Sequence, residues 1–197
     1  MDWTKRQKSV IALVVVILLC LPLMVGRFVL LYVDGAYQGR VLDMESNQPI
    51  EGAVIMGVWT RVSIGAHPVE TYHDVQETLS DSEGHFTIPG TWGAVFPLIT
   101  GVKEPEFVIF RPHYAAFQGG WRARFSPGGP VQLSQQNGRR VFQVRRLTVR
   151  EERVENMGKL SFNLCLPGRS FPQCIPGERV PHLIRLKDVE YNELWAQ

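Results

Sequence analysis

The chain has 197 residues, with 21 Lys+Arg against 19 Asp+Glu and a formal net charge of +2. From Ala36 onward 17 basic residues meet 17 acidic ones, a balance that argues against a generic binder of nucleic acid or another polyanion. With 18 glycines and 13 prolines, the chain has the turn formers that many-stranded β structure requires.

Lys5, Arg6 and Lys8 precede an uncharged apolar run over 10–25; Gly26-Arg27 interrupts it and 28–33 resumes it. A membrane-spanning helix needs ~20 apolar residues. Residues 10–33 reach that length if Arg27 lies at the outer interface with its stem snorkelling. The basic flank places the N-terminus in the cytoplasm and the bulk of the chain outside, in a periplasmic or extracellular space. A cleaved signal peptide would need small residues before the cut, and neither Met24-Val25-Gly26 nor Asp34-Gly35-Ala36 fits well. A lipoprotein signal at Cys20 would follow small residues, whereas Leu18 and Leu19 are bulky. The expectation is a cytoplasmic stub and uncleaved signal anchor over 1–35, with membrane lipid as its partner.

Gly39-Arg40-Val41-Leu42-Asp43 reads as a strand, with alternate side chains sharing one face. Ser46-Asn47-Gln48-Pro49 is a turn cluster, and Gly52-Ala53-Val54-Ile55 carries the next strand. Residues 59–76 read as a strand end, a long loop and a strand start. Asp81-Ser82-Glu83-Gly84 suits a type I turn, with Phe86 and Ile88 alternating inward after it. Residues 91–103, with Trp92, read as a second irregular apolar loop. Residues 106–110 form a strand and 115–121 continue its sheet. A turn at Ser126-Pro127-Gly128-Gly129-Pro130 follows. Residues 131–133 and 140–147 make a hairpin joined through Asn137-Gly138, a strong turn signal. Then the period changes. Thr148 with Glu151 three residues on has capping-box spacing, and Gly158 can end the helix it starts. Residues 181–195 form a second helix, with Leu183, Leu186, Glu190 and Leu194 roughly on one side.

Three motifs in order, Gly39-x-Val41-x-Asp43, Pro49-Ile50-x-Gly52-Ala53-x-Ile55 and Ser80-Asp81-x-x-Gly84-x-Phe86-x-Ile88, resemble the carboxypeptidase regulatory-like domain. Residues 104–114 are similar to the later strand and "KPGY" corner of bacterial envelope proteins of this group, with Arg111 in place of the usual lysine and His113 in place of glycine. The resemblance implies an all-β, transthyretin-like sandwich with a binding or scaffolding role, and it brings no catalytic residues. The expected organisation is the anchor over 1–35, the β-sandwich over 36–147 and a short helical C-terminal extension with a cysteine loop over 148–197.

Chemistry-bearing patterns are sparse. His67-Pro68-Val69-Glu70 has the H-x-x-E spacing of zinc carboxypeptidases but lacks the third ligand a catalytic zinc needs. His73, His85, His113 and His182 show no ligand spacing. There is no G-x-S-x-G elbow and no phosphate loop, so neither an enzyme, a metal nor a cofactor is expected. Cys165 and Cys174 flank a segment of little regular pattern, which a disulfide would close in an oxidising compartment; two separate thiols are the alternative. Arg139, Arg140, Arg145, Arg146, Arg150 and Arg153 read either as a solvated face pairing with Glu151, Glu152 and Glu155, or as a basic patch facing lipid phosphate or an acidic polymer. Trp59, Tyr72, Trp92, Tyr114 and Trp121 are candidates for stacking on sugar rings, with core packing as the alternative. The leading expectation is a non-enzymatic envelope module that binds or scaffolds a protein; the alternative is a carbohydrate-binding module.

Overall fold

Val54-Ile55-Met56-Gly57-Val58-Trp59 has no polar face, and a strand of that composition needs cover on both sides. The structure, a computed structural model, supplies it. It describes residues 14–16, 30–63, 65, 67–95, 100–123, 129–160, 162–165, 169 and 171–195. Among them are eleven strands: β1 (Leu30–Val33), β2 (Tyr37–Asp43), β3 (Val54–Ser63), β4 (Glu70–Leu79), β5 (His85–Ile88), β6 (Trp92–Val95), β7 (Thr100–Val102), β8 (Glu106–Phe110), β9 (Phe117–Gly120), β10 (Val131–Gln136) and β11 (Arg139–Val144). The two longer helices are α1 (Arg150–Lys159) and α2 (Pro181–Trp195), with a 3-10 turn at Gly177–Arg179 between them.

The strands make a β-sandwich. One sheet runs β10-β11-β2-β5 and the other β4-β3-β8-β9, with β7 continuing the β8 edge of β3. The β11–β2 pair is parallel. Between the sheets lie Val41, Phe86, Ile88 and Phe142 from the first and Ile55, Trp59, Phe107 and Phe117 from the second. The opposite face of the second sheet offers Val54, Met56, Val58, Val108 and Phe110, which pack on Leu160, Ile175, Val180, Leu183 and Leu186 of the C-terminal region. The strand alternation of β3 and β8 thus feeds two apolar layers at once. The 148–197 extension is a third layer of the fold.

The local chemistry expected of the turns is present. Gly84 has φ +76, and its N–H donates to the Asp81 carbonyl at 2.9 Å. Asn137 and Gly138 have φ of 50 and 78, the left-handed pair of a type I′ hairpin. Burial works to raise the Asp43 carboxyl. The Ser46 and Glu45 N–H groups, the Ser46 hydroxyl and the Tyr114 hydroxyl more than offset this and hold it below the ordinary range. All four residues named for the inner side of α2, Leu183, Leu186, Glu190 and Leu194, are buried.

Several expectations change. The long loop over 59–76 is mostly strand, because β3 and β4 pair along nearly their whole length around a bulge between Trp59 and Thr60. The loop over 91–103 contains β6 and β7. Thr148 makes no capping box: the N-cap is Val149, in an extended conformation with no side-chain hydrogen bond. Gly158 lies inside α1, which ends at Lys159. The 126–130 turn falls partly outside the described residues, as does most of the 10–33 anchor. No helix among the described residues is long and apolar enough to cross a membrane. Leu30–Val33, counted with the anchor, is a strand that pairs with Trp92–Val95.

Candidate functional site

The end of the sandwich where the chain enters it is built around Asp34, the first residue of the link between β1 and β2. Its Oδ2 accepts from the Tyr37 hydroxyl at 2.6 Å and from the Trp59 indole at 2.7 Å. The Asp34 N–H donates to the Thr91 carbonyl at 2.9 Å, tying β1 to the start of β6. Burial raises the Tyr37 phenol well above its ordinary value, and the hydrogen bond to Asp34 and the charge of Asp34 raise it further. Tyr37 is therefore a fixed neutral donor and Asp34 its acceptor. The Tyr37 ring meets Phe107 at 4.8 Å and Trp121 at 4.9 Å, both edge-on. Beside them opens a cavity of ≈ 420 Å³, lined by Tyr32, Asp34, Tyr37, Glu104, Trp121 and Arg122 among others. Its polar groups are wired to one another: Asp34 accepts from Tyr37, and Glu104 accepts from the Arg122 N–H.

The five aromatic candidates do not converge. Trp59 is 0% exposed, in the core, so its rings cannot meet a sugar. Trp121 lies against Tyr37, Phe107 and Phe142, with the Arg140 guanidinium 5.7 Å from its ring centre. Tyr72, on β4, donates its N–H to Pro172 and belongs to the seam with the cysteine loop. Tyr114 sits in the β8–β9 connection, where burial and then the charge of Asp43 raise its phenol. Trp92 is exposed on β6. Core packing and structural wiring claim most of the set, and no single groove holds it.

The arginine run also disperses. Arg140 covers Trp121 and donates to the Ala123 carbonyl. Arg145 pairs with Glu152 at 3.2 Å. Arg150 donates to the Leu194 carbonyl at 2.6 Å. Arg153 grips Glu190 through two hydrogen bonds, of 2.7 and 2.9 Å, and reaches Glu193 at 2.8 Å. Arg139 and Arg146 are exposed. The partners are mostly on α2 rather than on α1, where Glu151 and Glu155 were expected to serve. Arg150 and Arg153 tie α1 to α2, Arg145 ties the end of the sandwich to α1, and the guanidiniums form no continuous basic surface.

Cys165 and Cys174 are bridged, and Cys174 is buried beside Ile175. His67 is exposed, and Glu70 is paired with Lys103. Sequence reading missed another cluster. His113, Glu190 and Glu193 bring ligand atoms within 4.8 Å of one another, the one such group among the described residues. His113 Nε2 lies 2.8 Å from Glu193, and the His113 N–H donates to Glu190 at 3.1 Å. Arg153 already supplies a positive charge to both carboxylates, so the group is an ion-pair clamp. The signal for it was an acidic residue, Glu190, at a buried register position of an amphipathic helix. Beyond the clamp, Tyr191 and Trp195 stack at 4.6 Å on the exposed side of α2.

No protein-family model and no curated protein matches the chain. Among solved structures it is similar to a pilus adhesin of Streptococcus pneumoniae, at a TM-score of 0.33 and 11% identity over 58% of this chain and 15% of that one. It is also similar to a 9R-lipoxygenase from Cyanothece PCC8801, at a TM-score of 0.28 and 12% identity over 82% of this chain and 25% of that one. The chain spans a quarter or less of either protein, and likenesses this slight carry no functional reading.

Proposed function

We propose that the chain is a non-enzymatic envelope module: an N-in, single-pass anchor followed by a transthyretin-like sandwich of the carboxypeptidase regulatory-like type, which binds a protein partner through the outer side of α2. The observation that carries this is the Tyr191–Trp195 stack. Leu183, Leu186, Glu190 and Leu194 lock the inner side of the helix, while two large aromatics stand in the open on its other side. Exposed Tyr and Trp on a rigid element are what a protein interface uses as anchors. The Cys165–Cys174 bridge supports an oxidising compartment outside the cytoplasm. Arg153 in the His113–Glu190–Glu193 cluster supports a structural rather than a catalytic use of those groups. The scatter of Trp59, Tyr72, Trp92, Tyr114 and Trp121 leaves the carbohydrate reading without a stacking platform.

The test is site-specific photo-crosslinking in native membranes. Probes at Tyr191 and Trp195 should each give the same protein adduct, and a probe at the exposed Gln135 should not. Trp195→Ser should weaken capture of that partner about 10-fold or more, as expected for loss of an aromatic anchor. Equal adducts at all three positions would sink the proposal. So would glycan binding that is lost on changing Trp121 or Trp92 in a folded chain.

A further inference from the structure

The ribbon of β1 and β6 departs from the usual pattern of a β layer with one face open to water. An antiparallel pair with one face on a core and one face in water should be apolar inside and polar outside. The inner positions here are Tyr32 and Gly93, which pair directly. Tyr32 packs on the inter-sheet core, and a side chain on Gly93 would strike the His73 ring at 2.8 Å. The outer positions pair Leu31 with Ala94 and Val33 with Trp92. All four are exposed, Leu31 at 74%, Val33 at 76% and Trp92 at 76%. The outer face thus consists of two aliphatic side chains, a methyl group and an indole, with no charge among them. The ribbon is not loose, because Asp34 ties it to Thr91 and to Trp59.

Chain continuity indicates what covers it. Leu30 continues the apolar run directly from Phe28 and Val29. At ~3.3 Å per strand residue, Leu31 lies at most ~10 Å along the chain from Phe28. If that run spans a bilayer, the ribbon starts within the headgroup region. Trp is the side chain that settles there, with its ring in the acyl boundary and its N–H toward water. We infer that the outer face of the β1–β6 ribbon rests on the lipid surface, with Trp92, Leu31 and Val33 seated at the headgroup–acyl boundary. The sandwich is then held at a fixed attitude to the membrane and is not tethered on a free linker. This rests on the anchor proposed above.

The full chain reconstituted into vesicles of phosphatidylethanolamine and phosphatidylglycerol tests it, with a photoreactive amino acid at Trp92 or, as control, at the exposed Asn47. Lipid adducts at position 92 at least 10-fold above those at 47 are expected. Adducts no more frequent at 92 than at 47, or adducts at 92 to protein alone, overturn the inference. Retention of the chain on vesicles through carbonate extraction is read separately. A retained chain without lipid adducts at 92 leaves the anchor standing and the ribbon contact refuted. A released chain refutes the anchor; the ribbon contact then stands only if adducts at 92 formed before extraction. Trp92→Ser with Leu31→Ser, on a chain of unchanged melting temperature, should lower lipid adducts from a probe at Ala94 to the Asn47 level.

Discussion

The two ends of the β3–β4 hairpin are finished in opposite ways. Toward Ser63 and Glu70, the β1–β6 ribbon is pinned from within by Asp34 and leaves Leu31, Val33 and Trp92 open. Toward Val54 and Leu79, charges close the fold: Arg153 holds Glu190 and Glu193, and His113 caps both. The polar end spends its charged groups on itself. The apolar end leaves Leu31, Val33 and Trp92 open, a surface of the kind that proteins in water tend to cover. Between them, β3 and β8 are buried on both faces and bear the stability of both ends.

The largest effect should come from that shared centre. Phe107→Ala empties a fully buried ring site under Tyr37 and Trp121 and should cost about 3–5 kcal/mol, read from the denaturant midpoint. Next comes the charged end. Arg153→Ala leaves Glu190, 1% exposed, with no cationic partner in the clamp and should cost about 3 kcal/mol. Replacing Arg153 and Glu190 together by Met should recover most of that; if the pair costs as much as Arg153→Ala alone, the clamp is not an ion pair in function. Changing Cys165 and Cys174 together to Ser should cost about 2–3 kcal/mol, as expected for a bridge closing a short loop.

A smaller effect belongs to the ribbon end and to pH. Burial lowers the His73 imidazole below its ordinary value, and the Arg61 guanidinium lowers it further. Below about pH 6.5 the unfolded chain gains a proton there that the folded chain resists. The His73 contribution is therefore complete above that pH and is lost as pH falls toward the folded value. His73→Gln should flatten the acid limb of the stability curve relative to the parent chain; parallel curves would contradict it. Trp92→Ser should have the least effect on folding, within about 0.5 kcal/mol, as for an exposed side chain with no structural partner.

Local signals were legible where one short segment decides its own conformation. Gly84 and Asn137-Gly138 announce their turns because few other residues take φ > 0 cheaply. The inner side of α2 was readable down to Glu190, though not what Glu190 holds, because Arg153 and His113 are distant in sequence. The parallel β11–β2 pair joins segments about a hundred residues apart, which no local period can show. Leu30–Val33 was counted with the membrane run because hydropathy alone cannot separate an apolar strand from the end of an apolar helix. Thr148 and Glu151 have the spacing of a capping box, but the chain enters α1 one residue later, at Val149. Among the site candidates, the aromatics left sugar stacking and core packing both open, and tertiary packing decided it for two of them, taking Trp59 into the core and laying Trp121 against it.

The difference between the two ends is tested most directly by paramagnetic accessibility in vesicles. Spin labels are placed at Ala94→Cys and Asn192→Cys in a full chain whose Cys20 is replaced by Ser. The Ala94 label should be relaxed by oxygen, which concentrates in lipid, and shielded from a water-soluble nickel chelate. The Asn192 label should respond to the chelate. Equal, chelate-dominated relaxation at both positions would contradict a ribbon on lipid and an outward-facing helix.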